Sequence, residues 1–297
     1  MEVIAWRFIL VLVLVCSFSV MVKADVFQVP SEYSTIQAAV DAADDYDTVV
    51  IADGIYTGEG NRYINMDGKK ITVRSENGAV SCIIDCEGLG RGFNFFNQEN
   101  EDTVIENITI QNGATTSYGG AVYIREASPV FIGCRFLNNT VGSYQESGGA
   151  VYAEDSNSSF VNCSFDGNFS YCEGGAVSAD ESNLEFNDCV FENNASYCEG
   201  GAVYISDSLQ IEFTNCQFTG NSSNDSNGGA MFLDYYAVGL ISNCIFQSNT
   251  GVNGGGISCD RNCRCDLIEN DFIENSALMG GALFMGEYPE SVIQKCV

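Results

Sequence analysis

A doublet of glycines followed by a small and then an aliphatic residue begins at Gly119, Gly148, Gly174, Gly200, Gly228, Gly254 and Gly280. The intervals between them are 29, 26, 26, 28, 26 and 26 residues. A second motif, Cys-x-Phe-x-x-Asn, follows in phase at Cys134/Phe136/Asn139, Cys163/Phe165/Asn168, Cys189/Phe191/Asn194, Cys216/Phe218/Asn221 and Cys244/Phe246/Asn249. In the sixth unit Asn270 stands at the cysteine position, while Phe272 and Asn275 hold register. Asn107-x-Thr109-x-x-Asn112 reads as a degenerate copy ahead of them all. Self-similarity at such a period marks a solenoid, whose units bury their apolar faces only against one another.

The unit is built of short strands. No run in it carries helical 3.6 periodicity, and apolar positions alternate between clusters of Gly, Asn, Asp and Ser. Val122, Val151, Val177, Val203, Met231, Ile257 and Leu283 form one always-aliphatic column, which points inward. Phe131, Phe160, Phe186, Phe213, Ile241 and Leu267 form a second. The Cys and Phe columns of the second motif share a third inward face, since residues two apart on a strand point the same way. Three short strands per coil describe a parallel β-helix, an all-β solenoid. The asparagines are expected to form a ladder inside a turn, taking left-handed dihedrals there. A leucine-rich repeat has a similar period, but its leucine pattern is missing.

Composition narrows the function. Twelve Lys and Arg face 40 Asp and Glu, giving a net charge of −28. That excludes nucleic acid and anionic membranes as partners, because both need a basic face. Histidine is absent, which removes Ser-His-Asp and Cys-His nucleophile systems and every histidine-ligated metal site.

The chain divides into a leader and one solenoid domain. Arg7, the apolar run Phe8–Val22 and Val22-Lys23-Ala24 read as a signal peptide over 1–24, cleaved after Ala24; an uncleaved anchor is the alternative. The mature chain, 25–297, is then secreted or displayed at a cell surface (outer-membrane associated in a bacterium), without a membrane span. Over 34–45, Ser34-x-x-Gln37 reads as a capping box, with Ile36, Ala39, Val40 and Ala43 at helical spacing. That helix is expected to lid a first coil beginning at Thr48–Ala52. Irregular coils over 48–112 precede regular repeats over 113–297, and no cap is visible at the C-terminal end.

Gly-Gly-Ala-Val/Ile with Phe-x-x-Asn resembles the repeats of chlamydial polymorphic outer membrane proteins, within the pectin-lyase-like superfamily of right-handed β-helices. Asp53-Gly54-Ile55-Tyr56-Thr57-Gly58-Glu59-Gly60-Asn61-Arg62 and Lys70-Ile71-Thr72-Val73-Arg74-Ser75 look like that superfamily's first coils. Ile105-Glu106-Asn107-Ile108-Thr109-Ile110-Gln111-Asn112-Gly113 looks like its later ones. The resemblance covers about residues 29–297. It implies a right-handed coil and a surface or secreted location. It leaves function open, since the superfamily holds lyases, hydrolases, adhesins and inert scaffolds.

Four features are candidates for chemistry. Asp155, Asp180, Glu181, Asp207, Asp234 and Asp260, with Glu126 and Glu287, read as one acidic column after the glycine strand. Stacked like charges repel, so this column is a candidate Ca2+ ridge, against the alternative of a solvated turn. Tyr123, Tyr152, Tyr204, Phe232 and Phe284, in a column with Ser178 and Ser258, face outward as a candidate ridge for polysaccharide or cell-surface glycans; coverage by a neighbouring loop is the alternative. The Cys column reads as buried free thiols. Cys172 and Cys198, in equivalent loops of adjacent coils, are candidates for a disulfide, and Cys259, Cys263 and Cys265 for local pairing or a zinc site. Sequons include Asn138, Asn157, Asn168, Asn194, Asn221 and Asn224. The acidic column is uniform, whereas glycoside chemistry needs two carboxyls in distinct environments, so the sequence favours a structural or adhesin-like scaffold without a catalytic residue. A pectate-lyase-like or glycoside-hydrolase enzyme and a noncatalytic carbohydrate-binding module are the alternatives.

Overall fold

The computed structural model describes residues 24–286 except 209, together with 291–297. The expected signal peptide lies outside the described residues, apart from Ala24. Among them no helix is long and apolar enough to cross a membrane.

The repeat closes into coils as its periodicity predicts. Every paired strand runs parallel to its neighbour, in sheets of eleven, nine, nine and five strands. The glycine strands stack Val122 on Val151, Val177, Val203, Met231, Ile257 and Leu283. The next sheet stacks Phe131, Phe160, Phe186, Phe213, Ile241 and Leu267. The third stacks Phe136, Phe165, Phe191, Phe218, Phe246 and Phe272. A fourth, five-stranded sheet of two-residue strands, from Ala114–Thr115 to Ser222–Ser223, was not expected. It sits where the chain leaves the asparagine turn, too short to show a periodicity of two.

Inside, two aromatic columns fill the core. Phe165 lies on Phe191 at 4.7 Å and 3°, and Phe218 on Phe246 at 4.6 Å and 1°. Phe160, Phe186 and Phe213 stack in the neighbouring column at 4.9 and 4.7 Å. Between columns the rings meet edge-on, as Phe186 and Phe191 do at 5.6 Å and 65°. Offset stacks within a column and edges across columns both suit the ring quadrupole.

The asparagine ladder is continuous but differs in its dihedrals from expectation. Asn194 Oδ1 accepts from the backbone N–H of Asn168 at 3.0 Å and from its Nδ2 at 2.9 Å. Its own Nδ2 donates to Asn221 Oδ1 at 3.0 Å and to the Phe165 carbonyl at 2.9 Å. The same pattern links Asn139 to Asn168 and Asn221 to Asn249. The left-handed residue is the one before the ladder, Asn138 (φ 52°) or Asn193 (φ 54°). Placing the strain one residue earlier leaves the buried amide free to bond in both directions along the axis. The degenerate copy is also one residue off: Ile110, not Thr109, pairs with Phe136, and Gly113 N–H donates to Asn139 Oδ1 at 2.8 Å. Of the sequons, Asn168, Asn194 and Asn221 are buried in this ladder, whereas Asn138, Asn157 and Asn224 are exposed.

Each glycine of a doublet is required for its own reason. Gly174 has φ +61°, and a Cβ on Gly175 would lie 2.1 Å from the Gly201 carbonyl oxygen of the next coil. The first supplies a left-handed corner, the second a backbone contact between coils.

At the N-terminal end the helix spans Ile36–Ala42, with Ile36, Ala39 and Val40 buried over the first coil. Its N-cap is Thr35, whose Oγ1 accepts from Ala38 N–H at 3.3 Å, so the expected Ser34 box is one residue early. Gln37 instead reaches the next coil, accepting from Asn65 N–H at 2.9 Å and donating to its carbonyl at 3.0 Å. The first coil also starts earlier than Thr48, because Val26–Val29 pairs with Thr48–Ile51. At the other end Leu278, Met279, Ile293 and Val297 are exposed.

Thirteen cysteines are described, all as thiols, and ten are buried. Those of the column hydrogen-bond to carbonyls of the preceding coil, as Cys189 Sγ does to Phe160 at 3.3 Å.

Two outcomes test this packing. Asn194→Ala strands the Phe165 carbonyl and two donors of Asn168; at about 1–3 kcal/mol per buried unpaired group, urea unfolding should show a loss of several kcal/mol, while Asn224→Ala at the surface stays within about 0.5 kcal/mol. Gly175→Ala must push the Gly201 backbone away, so its unfolding midpoint should fall well below that of Gly142→Ala, whose added Cβ meets nothing closer than 3.7 Å.

Candidate functional site

The outer face of the glycine strands carries phenols, hydroxyls and carboxylates side by side. Alternation on the strand turns Tyr123, Tyr152, Ser178, Tyr204, Phe232, Ser258 and Phe284 outward, in register on successive coils. They are less open than the sequence suggests. Phe232 is 1% exposed and Tyr152 6%, while Tyr123, Tyr204 and Phe284 are half-buried. The expected ridge of exposed rings is therefore corrected to a lined groove: the loops leading into the glycine doublets fold over the strand face.

Tyr118 covers the rings of the first coils. It comes from the loop just before Gly119 and stacks on Tyr152 at 4.1 Å, with Tyr123 6.3 Å away. Arg91 closes this end, its guanidinium 5.1 Å above the Tyr123 ring. Arg91 is only 5% exposed, its Nε has no hydrogen-bond partner among the described residues, and burial lowers its pKa. At the far end Tyr204 lies 6.0 Å from Phe232.

Between these ends lies a depression of about 210 Å³. The loops contribute Tyr118, Gln145, Ser147 and Glu173; the strands contribute Tyr152, Ser178, Tyr204, Asp180 and Ser206. Ser147 Oγ donates to Glu173 Oε2 at 2.6 Å, and Ser206 Oγ to Asp180 Oδ1 at 2.7 Å, so both carboxylates are held from inside the protein. Burial raises the pKa of Tyr152, helped by Asp180 and Glu154. Burial raises that of Tyr204 too, helped by Glu173 and Asp234. The phenols thus remain neutral hydrogen-bond donors throughout the ordinary pH range. The lining contains two carboxylates and no lysine or arginine.

The acidic column resolves into two. Arg125, Glu154, Asp180, Ser206 and Asp234 are register partners at the strand ends, and Asp260, following Cys259, continues that line. Glu126, Asp155, Glu181 and Asp207 sit one residue later, each at φ between 47° and 51°. The single ridge expected of Asp155, Asp180, Glu181, Asp207, Asp234 and Asp260 is therefore split between an extended position and a left-handed one, which aim their side chains differently. The first line is also broken by Ser206, and two of its carboxylates, Glu154 and Asp234, are paired with arginines. Arg125 lies 3.6 Å from Glu154. Asp234, 2% exposed, is held by Arg261 Nε at 3.1 Å, by Tyr235 N–H at 2.9 Å and by Tyr204 Oη at 3.4 Å. Burial raises the Asp234 pKa despite Arg261. Among the described residues no three Cys, Asp or Glu converge as a metal site, Cys259, Cys263 and Cys265 included. Glu287 lies outside the described residues.

Sequence reasoning found the tyrosine column but missed Tyr118, Glu173, Arg91 and Arg261. Tyr118, Arg91 and Arg261 do not recur from unit to unit, so periodicity carries no signal for them; Glu173 recurs as Glu199 one coil later, so its position was legible but not its place in a groove.

Comparison with known proteins bears on the fold. A family model described as the right handed beta helix region matches residues 47–229, more than half of the chain. No curated protein matches. Among solved structures, ORF18 of Geobacillus virus E2 is similar at a TM-score of 0.53 and 16% identity, over 88% of this chain and 57% of that one. The present chain thus spans little more than half of the phage chain. Pectate lyase Pel9A is similar at a TM-score of 0.51 and 12% identity, over 90% of this chain and 78% of that one. At such identities the likeness is one of fold. With its parallel coils, phased repeat and family match, the chain belongs to the right-handed β-helix family.

Proposed function

We propose that this chain is a secreted or surface-displayed β-helix scaffold, structural or adhesive, that holds sugar rings in the tyrosine-lined groove. The observation carrying this reading is the set of three phenols, Tyr118, Tyr152 and Tyr204, around one depression with Glu173 and Asp180. Phenol and serine hydroxyls donate to sugar oxygens, carboxylates accept from sugar hydroxyls, and aromatic rings offer apolar area to the sugar face. Tyr152, Ser178 and Tyr204 stand on three successive coils. At about 4.8 Å per coil they span roughly 10 Å, the length of about two sugar rings. The leader expected over 1–24 and the resemblance to polymorphic outer membrane protein repeats support an extracellular setting.

The runner-up is catalysis on an acidic polysaccharide, for which the likeness to pectate lyase Pel9A is the motive. The groove's charge opposes it. A polyuronate would meet Glu173 and Asp180 with no basic residue in the lining, and a lyase needs a base and a neutralised uronate carboxylate.

A glycan array and a product assay separate these readings. The chain should bind neutral or amino-sugar oligosaccharides and release no unsaturated product from polyuronates. Tyr118→Ala and Tyr152→Ala should each weaken binding by about 10-fold, the equivalent of about 1.4 kcal/mol and within reach of an aromatic contact, while Tyr46→Ala on another face changes nothing. Because the Tyr152 and Tyr204 pKa values are raised, affinity should stay flat from pH 6 to 9. Turnover of polyuronate, or binding by both groove variants as tight as that of the wild type, would refute the proposal.

A further inference from the structure

We infer that Cys172 and Cys198 form an intramolecular disulfide that fastens two adjacent coils at the rim of the groove. The segment Ser170-Tyr171-Cys172-Glu173-Gly174-Gly175-Ala176-Val177 recurs, 26 residues later, as Ser196-Tyr197-Cys198-Glu199-Gly200-Gly201-Ala202-Val203. The two cysteines therefore hold the same place on consecutive coils. Cys198 N–H donates to the Cys172 carbonyl at 3.2 Å. That bond sets the backbones one coil apart, about 4.8 Å, inside the Cα separation of about 4.4–6.8 Å that a disulfide spans.

The pair differs from the buried cysteine column, whose members also stack. Column thiols sit fully buried in the corner between two strands and are engaged with carbonyls, as Cys163 is with Phe131 at 3.5 Å and Cys216 with Phe186 at 3.4 Å. A disulfide there would break those bonds inside the packed core. Cys172 and Cys198 instead are half-buried, in the loop that leads into the glycine doublet, and Cys198 Sγ meets the Tyr171 carbonyl at a long 3.9 Å. No third cysteine competes for them. Gly148, Gly174 and Gly200 donate to the carbonyls of Glu173, Glu199 and Asn227, a register that places Glu146 and Ser226 at the equivalent positions one coil before and after.

The chemistry balances with a glutathione disulfide as oxidant. Two S–H bonds break, one S–S bond forms, and two electrons and two protons pass to glutathione disulfide, which becomes two glutathione thiols. Burial, reinforced by Glu173, pushes the Cys172 thiol up to about 12 in the folded chain. The thiolate is then scarce, so the bond forms while the chain folds, in the oxidising setting expected of an exported protein. Once made, it fixes the loop carrying Glu173, which lines the groove.

Refolding the full chain in a buffer of glutathione and its disulfide, then alkylating under denaturing conditions and mapping peptides by mass, tests this. The expected result is a linked Cys172–Cys198 peptide pair with the column cysteines alkylated. Cys172→Ser should leave Cys198 alkylated and lower the thermal midpoint by several degrees, and a phosphine reductant should bring wild type down to that value without moving the variant. Full alkylation of Cys172 and Cys198 in the oxidised wild type, bonds from either to another cysteine, or covalent dimers on a non-reducing gel would each overturn the inference. The wild-type peptide map decides the matter even if the variant fails to fold, and its result is independent of whether the groove binds sugar.

Discussion

Everything in this molecule rests on like residues lying over like residues at one coil spacing. A single coil has too little apolar surface to offset the entropy of ordering its 26 or so residues. Stacked coils change that balance, because each backbone amide finds its partner one coil away and each side chain finds its copy. The asparagine ladder shows the constraint most sharply. Asn194 is fully buried, yet it bonds to Asn168, Asn221 and the Phe165 carbonyl. A buried amide is tolerable only when so completely engaged, and only coils in strict register can engage it.

The same register explains why the glycine doublet recurs. Coils must approach until Gly175 touches the Gly201 carbonyl, and that approach sets the spacing at which the phenylalanines of the interior stack. Turn, backbone ladder and aromatic column are thus three readings of one distance. A change at any of them is felt by its neighbours on either side, and little beyond, as expected for a one-dimensional assembly.

Function belongs to what breaks the repeat. The inward positions are nearly uniform, and uniformity cannot create a distinctive environment. The groove arises where loops of different composition, carrying Tyr118, Gln145 and Glu173, lean over an outer column that itself mixes phenols with serine hydroxyls. Its charge follows from the whole chain: with 40 acidic residues against 12 basic ones, its few arginines are drawn to the ends, Arg91 against Tyr123 and Arg261 against Asp234. The centre is left acidic and rich in hydroxyls.

The division between what sequence and structure each decide follows from this. Periodicity alone determined the parallel coils, the inward columns Val122 to Leu283 and Phe136 to Phe272, and the burial of the thiols, because a repeat spaced at one coil has few other ways to bury the same letter every time. Details one residue wide escaped it: the N-cap at Thr35 instead of Ser34, the left-handed turn at Asn193 instead of Asn194, and the split of Asp180 from Glu181. Neighbouring residues of like type are interchangeable to a pattern, but on a strand or turn they point in opposite directions. The groove lay further still from the sequence's reach. Tyr118 meets Tyr152, and Arg91 meets Tyr123, through loops that vary from coil to coil, and only the folded chain brings such unrepeated residues together.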